Sequence, residues 1–190
     1  MKVYFLASPR SIEERPAVFG KIYEYLARDN KMIDDLVKKL AKFGVKEFYE
    51  VKKTERTDRF KKWMGYIRKS EVVVVEVSGH SMTLGYVIGK ALELNKPVVA
   101  LCKEGEESYF VSGINNSKLQ VVKYKEETIE EILKGAMKKA KSMVDVRFNF
   151  FVSPAILTYL DWVAQHKMIP RSVFLRELIE KQMKKEKEFK

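Results

Sequence analysis

The sequence predicts an α/β protein built on a doubly wound, mostly parallel sheet of five strands, followed by a small β-α-α unit. Apolar runs of strand length alternate with amphipathic helical stretches as far as about residue 143, which is the pattern of a parallel sheet covered by helices. After that point one short alternating run is followed by two closely spaced helical stretches. We therefore expect two domains, residues 1–143 and 144–190.

Five apolar runs are the predicted strands of the first domain. The central run contains four consecutive valines without polar alternation, as expected for a strand that helices cover on both faces. Five strands in this rhythm favour a flavodoxin-like fold, in which ligands bind beyond the carboxyl ends of the strands. The runs are Val3 to Ala7, Val45 to Val51, Val72 to Val77, Val98 to Leu101 and Leu119 to Tyr124.

Amphipathic stretches between these runs predict helices with basic exposed faces. The stretch from Lys52 to Lys69 carries eight Lys and Arg against two acids, with Phe60, Trp63, Tyr66 and Ile67 at helical spacing. It predicts a solvated cationic face over a buried aromatic stripe, and an auxiliary contact with DNA or phosphate is the alternative. The helices are predicted over Pro16 to about Leu40, with a break near Asn30 left open, and over Asp58 to Lys69, Thr83 to Leu94 and Thr128 to about Met143.

Net charge and residue composition indicate which partners, cofactors and cellular location the protein is expected to have. A formal net charge of +11 over 190 residues favours phosphate-bearing partners, nucleic acid above all. The single Cys102 excludes an internal disulfide, and two isolated histidines give no metal-ligating pattern, so we expect neither a metal nor another cofactor. No apolar run is long enough for a membrane span, and the start lacks the form of a signal peptide, so a cytoplasmic location is expected. High Lys and Glu with little Gln and Asn indicate a thermophile.

The last residues predict a helical hairpin that needs a partner. Ser153 before Pro154 is typical of a helix start. Two apolar stripes at helical spacing follow, separated by a break at Lys167 to Pro170. A unit of about 45 residues cannot bury both stripes alone, so we expect a second copy to cover them.

This segment resembles the Arc/MetJ-type ribbon-helix-helix family, most closely from Ile169 to Glu177. The resemblance implies that strands from two subunits, each formed by the alternating run 147–152, pair into a ribbon that enters the major groove of DNA. It further implies which residues contact DNA: Arg147, Asn149 and Phe151 at the bases, and Arg171 and Ser172 at a phosphate. A hairpin used only for oligomerisation or for holding a partner protein is the alternative.

Three segments of the first domain carry a second resemblance, over residues 1 to about 140. The segments 4–10, 70–78 and 81–98 are similar to the family of nucleoside 2-deoxyribosyltransferases and 2'-deoxynucleoside 5'-monophosphate N-glycosidases. The resemblance implies that Ser8, Arg10 and Ser81 hold a 5'-phosphate, and that Ser108 matches a serine contributed across a dimer interface. Hydroxyl and guanidinium groups directly after a first strand suit this role. The alternative is an ordinary turn at Ser8 and a plain helix cap at Ser81.

The catalytic acids of that family have no counterpart at the matching positions. Val87 stands where the resemblance implies the glutamate nucleophile, and Trp63 stands where it implies a second acid. Glu76 and His80, at the end of the third strand and in the next loop, are the candidate acid and base. The alternative for Glu76 is a structural hydrogen bond to the loop.

These observations predict a dimeric DNA-binding protein, a homodimer or a dimer of dimers, that acts as a transcriptional regulator rather than an enzyme. Its larger domain would be a catalytically degenerate deoxyribosyltransferase-like fold that binds a deoxynucleoside monophosphate as effector. One alternative is an active N-glycosidase or deoxyribosyltransferase that uses the C-terminal unit for assembly. Another is an antitoxin-like protein-interaction module.

Overall fold

Five parallel strands form one sheet in the spatial order β2-β1-β3-β4-β5. The computed structural model describes residues 1–50, 52–79, 81–145 and 149–186. It divides into two compact units, Met1–Asp145, which contains the sheet, and Val146–Lys190. The strands are β1 (Lys2–Ala7), β2 (Lys31–Met32), β3 (Val72–Glu76), β4 (Val98–Lys103) and β5 (Leu119–Tyr124).

Two apolar cores, one on each face of the sheet, account for the continuous valine run. Val72 and Val74 pack into the core on one face, whereas Val73 and Val75 pack into the core on the other. Every residue of β3 is buried, as expected for a central strand of a doubly wound sheet. The α/β class and the five-stranded parallel sheet are therefore confirmed.

The predicted strand from Val45 to Val51 is wrong. A short helix, Lys46–Tyr49, lies there, and the second strand is Lys31–Met32. It falls inside the stretch Pro16 to about Leu40 that was predicted as helix, at the break near Asn30 that the prediction left open. Asn30 adopts an extended backbone that ends the helix, and its side-chain amide donates to the carbonyl oxygen of Leu26 at 2.9 Å. An edge strand of two residues is too short to show alternation, so the sequence pattern cannot reveal it.

Helices cover both faces of the sheet in this unit. The helices α5, α6 and α8 begin and end within one or two residues of the predicted bounds. Their apolar stripes are long enough to place them from the sequence. The helices are α1 (Pro9–Glu14), α2 (Pro16–Asp29), α3 (Leu36–Phe43), α4 (Lys46–Tyr49), α5 (Arg56–Lys69), α6 (Met82–Glu93), α7 (Tyr109–Ser112) and α8 (Ile129–Ser142).

The second unit contains α9 (Pro154–His166) and α10 (Arg171–Lys185). The hydroxyl of Ser153 accepts a hydrogen bond from the backbone amide of Ile156 at 3.4 Å, which is the cap expected from the sequence. The rings of Tyr159 and Phe174 lie 6.0 Å apart between the two helices. None of the described helices is both long and apolar enough to span a membrane.

The predicted ribbon strand is not shown. Residues 149–152 form no strand, and the predicted base-contacting residues Asn149 and Phe151 lie in this irregular segment. Arg147 lies outside the described residues. A lone strand has no partner for its backbone hydrogen bonds within one chain. Ser172 is exposed in the first turn of α10, and Arg171 forms an ion pair with Asp161.

Candidate functional site

A cavity of about 270 Å³ opens at the carboxyl end of β1. Parallel sheets of this order place a crevice there, because the chain leaves β1 and β3 toward opposite faces of the sheet. The end of β1 and the following turn, the segment before α3, the helix α4 and the starts of α5 and α6 supply its walls. The polar and aromatic groups that line it are Tyr4, Phe5, Ser8, Arg10, Asp34, Phe48, Tyr49, Trp63, Ser81 and Thr83.

The three residues predicted to hold a phosphate all line this cavity. Ser8 is buried in the turn after β1, and its hydroxyl makes no capping hydrogen bond to α1. Arg10 is exposed two residues later, so its guanidinium can reach a bound anion. Ser81 caps α6, its hydroxyl accepting from the amide of Leu84 at 3.5 Å. The positive end of a 12-residue helix and a guanidinium therefore lie on the same cavity.

Asp34, which the sequence reasoning missed, supplies the carboxylate of the cavity. It follows β2 by two residues and is half-buried. Of the described residues that line the cavity, it is the only acid. Its position after a strand is the signal that could have found it, but the second strand had been predicted elsewhere.

The hydroxyl of Tyr4 is a second group that the sequence reasoning missed. Tyr4 lies on β1, is almost fully buried and lines the cavity. Burial raises the pKa of its hydroxyl well above the usual value of 10, and the nearby charge of Asp34 raises it further. Tyr4 is therefore a neutral hydrogen-bond donor at any physiological pH.

Aromatic rings form one wall of the cavity. Phe48 and Trp63 are stacked, with centroids 6.3 Å apart and planes 11° apart. Trp63 occupies the position at which the family resemblance implies an acid, so at this point an apolar ring replaces a charge. Val87, at the position of the implied glutamate, is buried and packs in the core between the sheet and α6.

Glu76 lies in a buried network rather than among the described residues of the cavity wall. Its Oε1 accepts hydrogen bonds from the hydroxyls of Ser78 and of Tyr124, the latter at 2.9 Å, and lies 3.6 Å from Nη2 of Arg15. Its Oε2 is buried with no hydrogen-bond partner among the described residues. Burial raises the pKa of Glu76, against the opposing effect of these hydrogen bonds and of Arg15. His80, its predicted partner, lies outside the described residues.

Ser108 is separate from the cavity. It precedes α7 and lines an adjoining groove with Ser81, Met82 and Phe110. In a single chain, therefore, the structure brings together Ser8, Arg10 and Ser81 but not Ser108. In the described part of the chain, no cluster of three or more His, Cys, Asp or Glu side chains is placed to hold a metal ion.

Comparisons with known proteins find relatives in sequence that are named as nucleotide N-hydrolases. No protein-family model matches the chain. A 5-hydroxymethyl-dUMP N-hydrolase of Mus musculus is 30% identical over 139 residues, covering 69% of this chain and 76% of the mouse protein. A protein of Nematostella vectensis assigned as a 2'-deoxynucleoside 5'-phosphate N-hydrolase is also 30% identical over 139 residues, covering 70% of this chain and 90% of that protein.

Among solved structures, a CMP N-glycosidase of Clostridium botulinum shares the fold. It matches with a TM-score of 0.52 at 15% sequence identity, covering 70% of this chain and 99% of that chain. The expectation of a DNA-binding regulator is wrong, because the relatives in sequence are named as enzymes that act on nucleotides. The expectation that the chain is not an enzyme is unsupported for the same reason.

Proposed function

Because the chain belongs to the 2'-deoxynucleoside 5'-phosphate N-hydrolase family, we propose that it hydrolyses the N-glycosidic bond of a 2'-deoxynucleoside 5'-monophosphate. The products are the free base and a deoxyribose 5-phosphate. The observation that carries this proposal is the cavity itself, which combines Ser8, Arg10 and Ser81 with one carboxylate and an aromatic wall.

The phosphate binds at the end of the cavity formed by the turn after β1 and the start of α6. The hydroxyls of Ser8 and Ser81 donate to its oxygens, and Arg10 balances its charge. The amides in the first turn of α6 add a positive potential on the same side. A nucleoside without the phosphate lacks these interactions, so the monophosphate is the preferred substrate.

Asp34 is the group that we assign to the chemistry. As the bond between C1' and the base nitrogen breaks, positive charge develops on the sugar ring, and a nearby carboxylate stabilises it. The electron pair of the broken bond leaves with the base, and a water molecule bonds to C1' and gives one proton to Asp34. That proton then passes from Asp34 to the departing base, which restores the carboxylate. Since Val87 has no carboxylate, direct attack by water replaces the covalent intermediate that a glutamate at that position would form.

Tyr4 and the aromatic wall complete the assignment. Because the pKa of Tyr4 is raised, its hydroxyl remains protonated and donates a hydrogen bond to Asp34 or to substrate. Phe48, Tyr49 and Trp63 offer apolar ring faces for the base. Apart from the one water that attacks C1', this apolar wall keeps solvent from the reacting carbon, which strengthens the interaction between Asp34 and the charged sugar.

The second unit serves assembly in this proposal, through a second copy of the chain. Of its described residues only Leu160 and Val163 are buried hydrophobics, and α10 contains no buried residue. Two helices with so small a core are only marginally stable alone. Self-association covers the exposed large apolar side chains of the two helices, which are Ile156, Leu157, Tyr159, Trp162, Val173, Leu178, Ile179 and Met183.

The test is release of free base from the four 2'-deoxynucleoside 5'-monophosphates and their ribose counterparts, followed by chromatography. Asp34→Asn should lower kcat by on the order of 100-fold, as for the loss of a general base. Asp35→Asn is the matched control, because the neighbouring Asp35 forms an ion pair with Lys39 at 3.0 Å and is not among the described cavity residues. No base release by the unchanged protein over hours at high enzyme concentration would overturn the proposal, and equal kcat for Asp34→Asn would overturn the assignment of Asp34.

A further inference from the structure

A second, larger depression adjoins the cavity between α5 and α6. Its volume is about 500 Å³, against about 270 Å³ for the cavity. Phe48, Tyr49, Trp63 and Thr83 line both, so the two spaces share one wall. We call this depression the α5–α6 groove. A mononucleotide whose base contacts the shared wall would leave the rest of the groove, at Arg56, Phe60 and Tyr86, without a ligand.

The walls of the α5–α6 groove are aromatic and accessible. Phe60 and Tyr86 are about half exposed, and their ring centroids lie 6.1 Å apart with planes tilted by 46°. Tyr49 is 57% exposed at the boundary with the cavity. Exposed ring faces at this spacing suit stacking with a nucleobase, because every base has a π face.

The charges on the α5–α6 groove are positive. Arg56 is exposed and forms no ion pair or hydrogen bond with the described residues. Arg59 donates from Nη1 to the carbonyl oxygen of Phe48 at 2.9 Å, and its guanidinium lies 4.6 Å from the centre of the Phe48 ring. No acid is among the described residues that line the groove. An anion carried by the same ligand as an aromatic ring would therefore be bound there.

We propose that the α5–α6 groove binds a second nucleotide unit, so that the chain accepts a 5'-phosphorylated dinucleotide. The 5'-terminal nucleotide occupies the cavity, which rests on the proposed function, and the next nucleotide stacks on Phe60 and Tyr86 with its phosphate at Arg56. A bulky substituent on the base of a mononucleotide would fill the apolar part of the groove but would bring no phosphate to Arg56. Arg56, which mononucleotide hydrolysis leaves without a role, thereby acquires one.

The experiment measures by titration calorimetry, in the Asp34→Asn protein so that the ligands are not hydrolysed during the titration, the dissociation constants of a deoxynucleoside 5'-monophosphate and of the matching 5'-phosphorylated dinucleotide, for each of the four bases. The dinucleotide should bind at least roughly tenfold more tightly, since one stacked base commonly contributes that much. Phe60→Ala and Arg56→Ala should each bring the dissociation constant of the dinucleotide close to that of the monophosphate, without changing the affinity for the monophosphate. Arg68→Ala, an exposed arginine of the same helix outside the groove, is the matched control and should have no effect.

Equal affinities for the two ligands, with the monophosphate still bound and hydrolysed, would overturn this inference and leave the proposed function intact. Failure to bind either ligand would overturn both. If a second copy of the chain fills the groove instead, Phe60→Ala will lower the sedimentation mass and leave the affinity ratio unchanged. That result also overturns the inference.

Discussion

At the scale of single residues, the position of a carboxyl group relative to the sheet decides whether it is buried or reaches the cavity. Asp34 follows an edge strand and reaches the cavity half-buried, whereas Glu76 ends the central strand and is completely buried. Full burial penalises the charged form, so Glu76 serves structure through hydrogen bonds with Ser78 and Tyr124.

Glu76→Gln tests this difference through the pH dependence of stability. A carboxyl group whose folded pKa is raised contributes stability below its unfolded pKa, near 4.5, and loses it as pH rises through the folded value. Glutamine keeps the hydrogen-bond acceptor but cannot ionise. As pH rises from 4 to 8, the free energy of unfolding of the unchanged protein should therefore fall relative to that of Glu76→Gln. Urea denaturation at a series of pH values measures both free energies. A difference that is constant with pH would show that the folded pKa is not raised.

At the scale of elements, the loop after β3 is held against α1 by close packing. A Cβ atom built on Gly79 would lie 2.3 Å from the Oγ of Ser11, which is buried in α1. Glycine is required at position 79 because the loop and α1 approach so closely that a side chain would not fit. Its backbone angles do not by themselves require glycine. The contact fixes the turn after β1 relative to the loop before α6, and these two segments carry the residues that we propose to bind phosphate.

Gly79→Ala should lower the free energy of unfolding by about 1–3 kcal/mol, as for other overpacked sites. Adding Ser11→Ala removes the Oγ atom and leaves the Cβ at 3.7 Å, an ordinary contact distance. The double variant should therefore recover most of the loss, measured by thermal and urea denaturation. If Gly79→Ala and the double variant are equally destabilised, the Ser11 hydroxyl is not the cause.

At the scale of the whole molecule, the two units differ in how they achieve stability. The first has an apolar core on each face of its sheet, whereas the described part of the second has two buried hydrophobic residues. The resemblance to ribbon-helix-helix proteins led to the prediction of DNA binding, and the enzyme relatives contradict that function. Large exposed apolar side chains remain a physical reason for self-association.

The full chain should sediment at no less than twice its mass of 22.2 kDa. The double variant Leu178→Glu/Ile179→Glu should have half this mass. Both side chains are exposed in one chain, and burying a charged group at either position would disfavour contact between two chains. Lys181→Glu, on the same helix, is the control and should keep the larger mass. A monomeric unchanged protein, or a double variant of full mass, would contradict assembly through α10.

The sequence pattern by itself predicted those structural elements whose formation depends on residues close together in the sequence. The valine run of β3, the stripes of α5, α6 and α8 and the cap at Ser153 could all be predicted, because burial on one or two faces imposes a period on adjacent residues. The phosphate-binding expectation for Ser8, Arg10 and Ser81 came from motifs that resemble a known family. These residues belong to segments that directly follow strands.

The tertiary structure alone decided where β2 lies, which carboxyl group reaches the cavity and which is buried. The two-residue β2 is held by hydrogen bonds to β1, such as that from the amide of Ile33 to the carbonyl oxygen of Val3 at 2.9 Å, and leaves no period in the sequence. Only this pairing brings Asp34 to the cavity at the end of β1. A cavity is formed by side chains from distant segments, and their distances depend on the packing of the whole sheet, which no window of sequence contains.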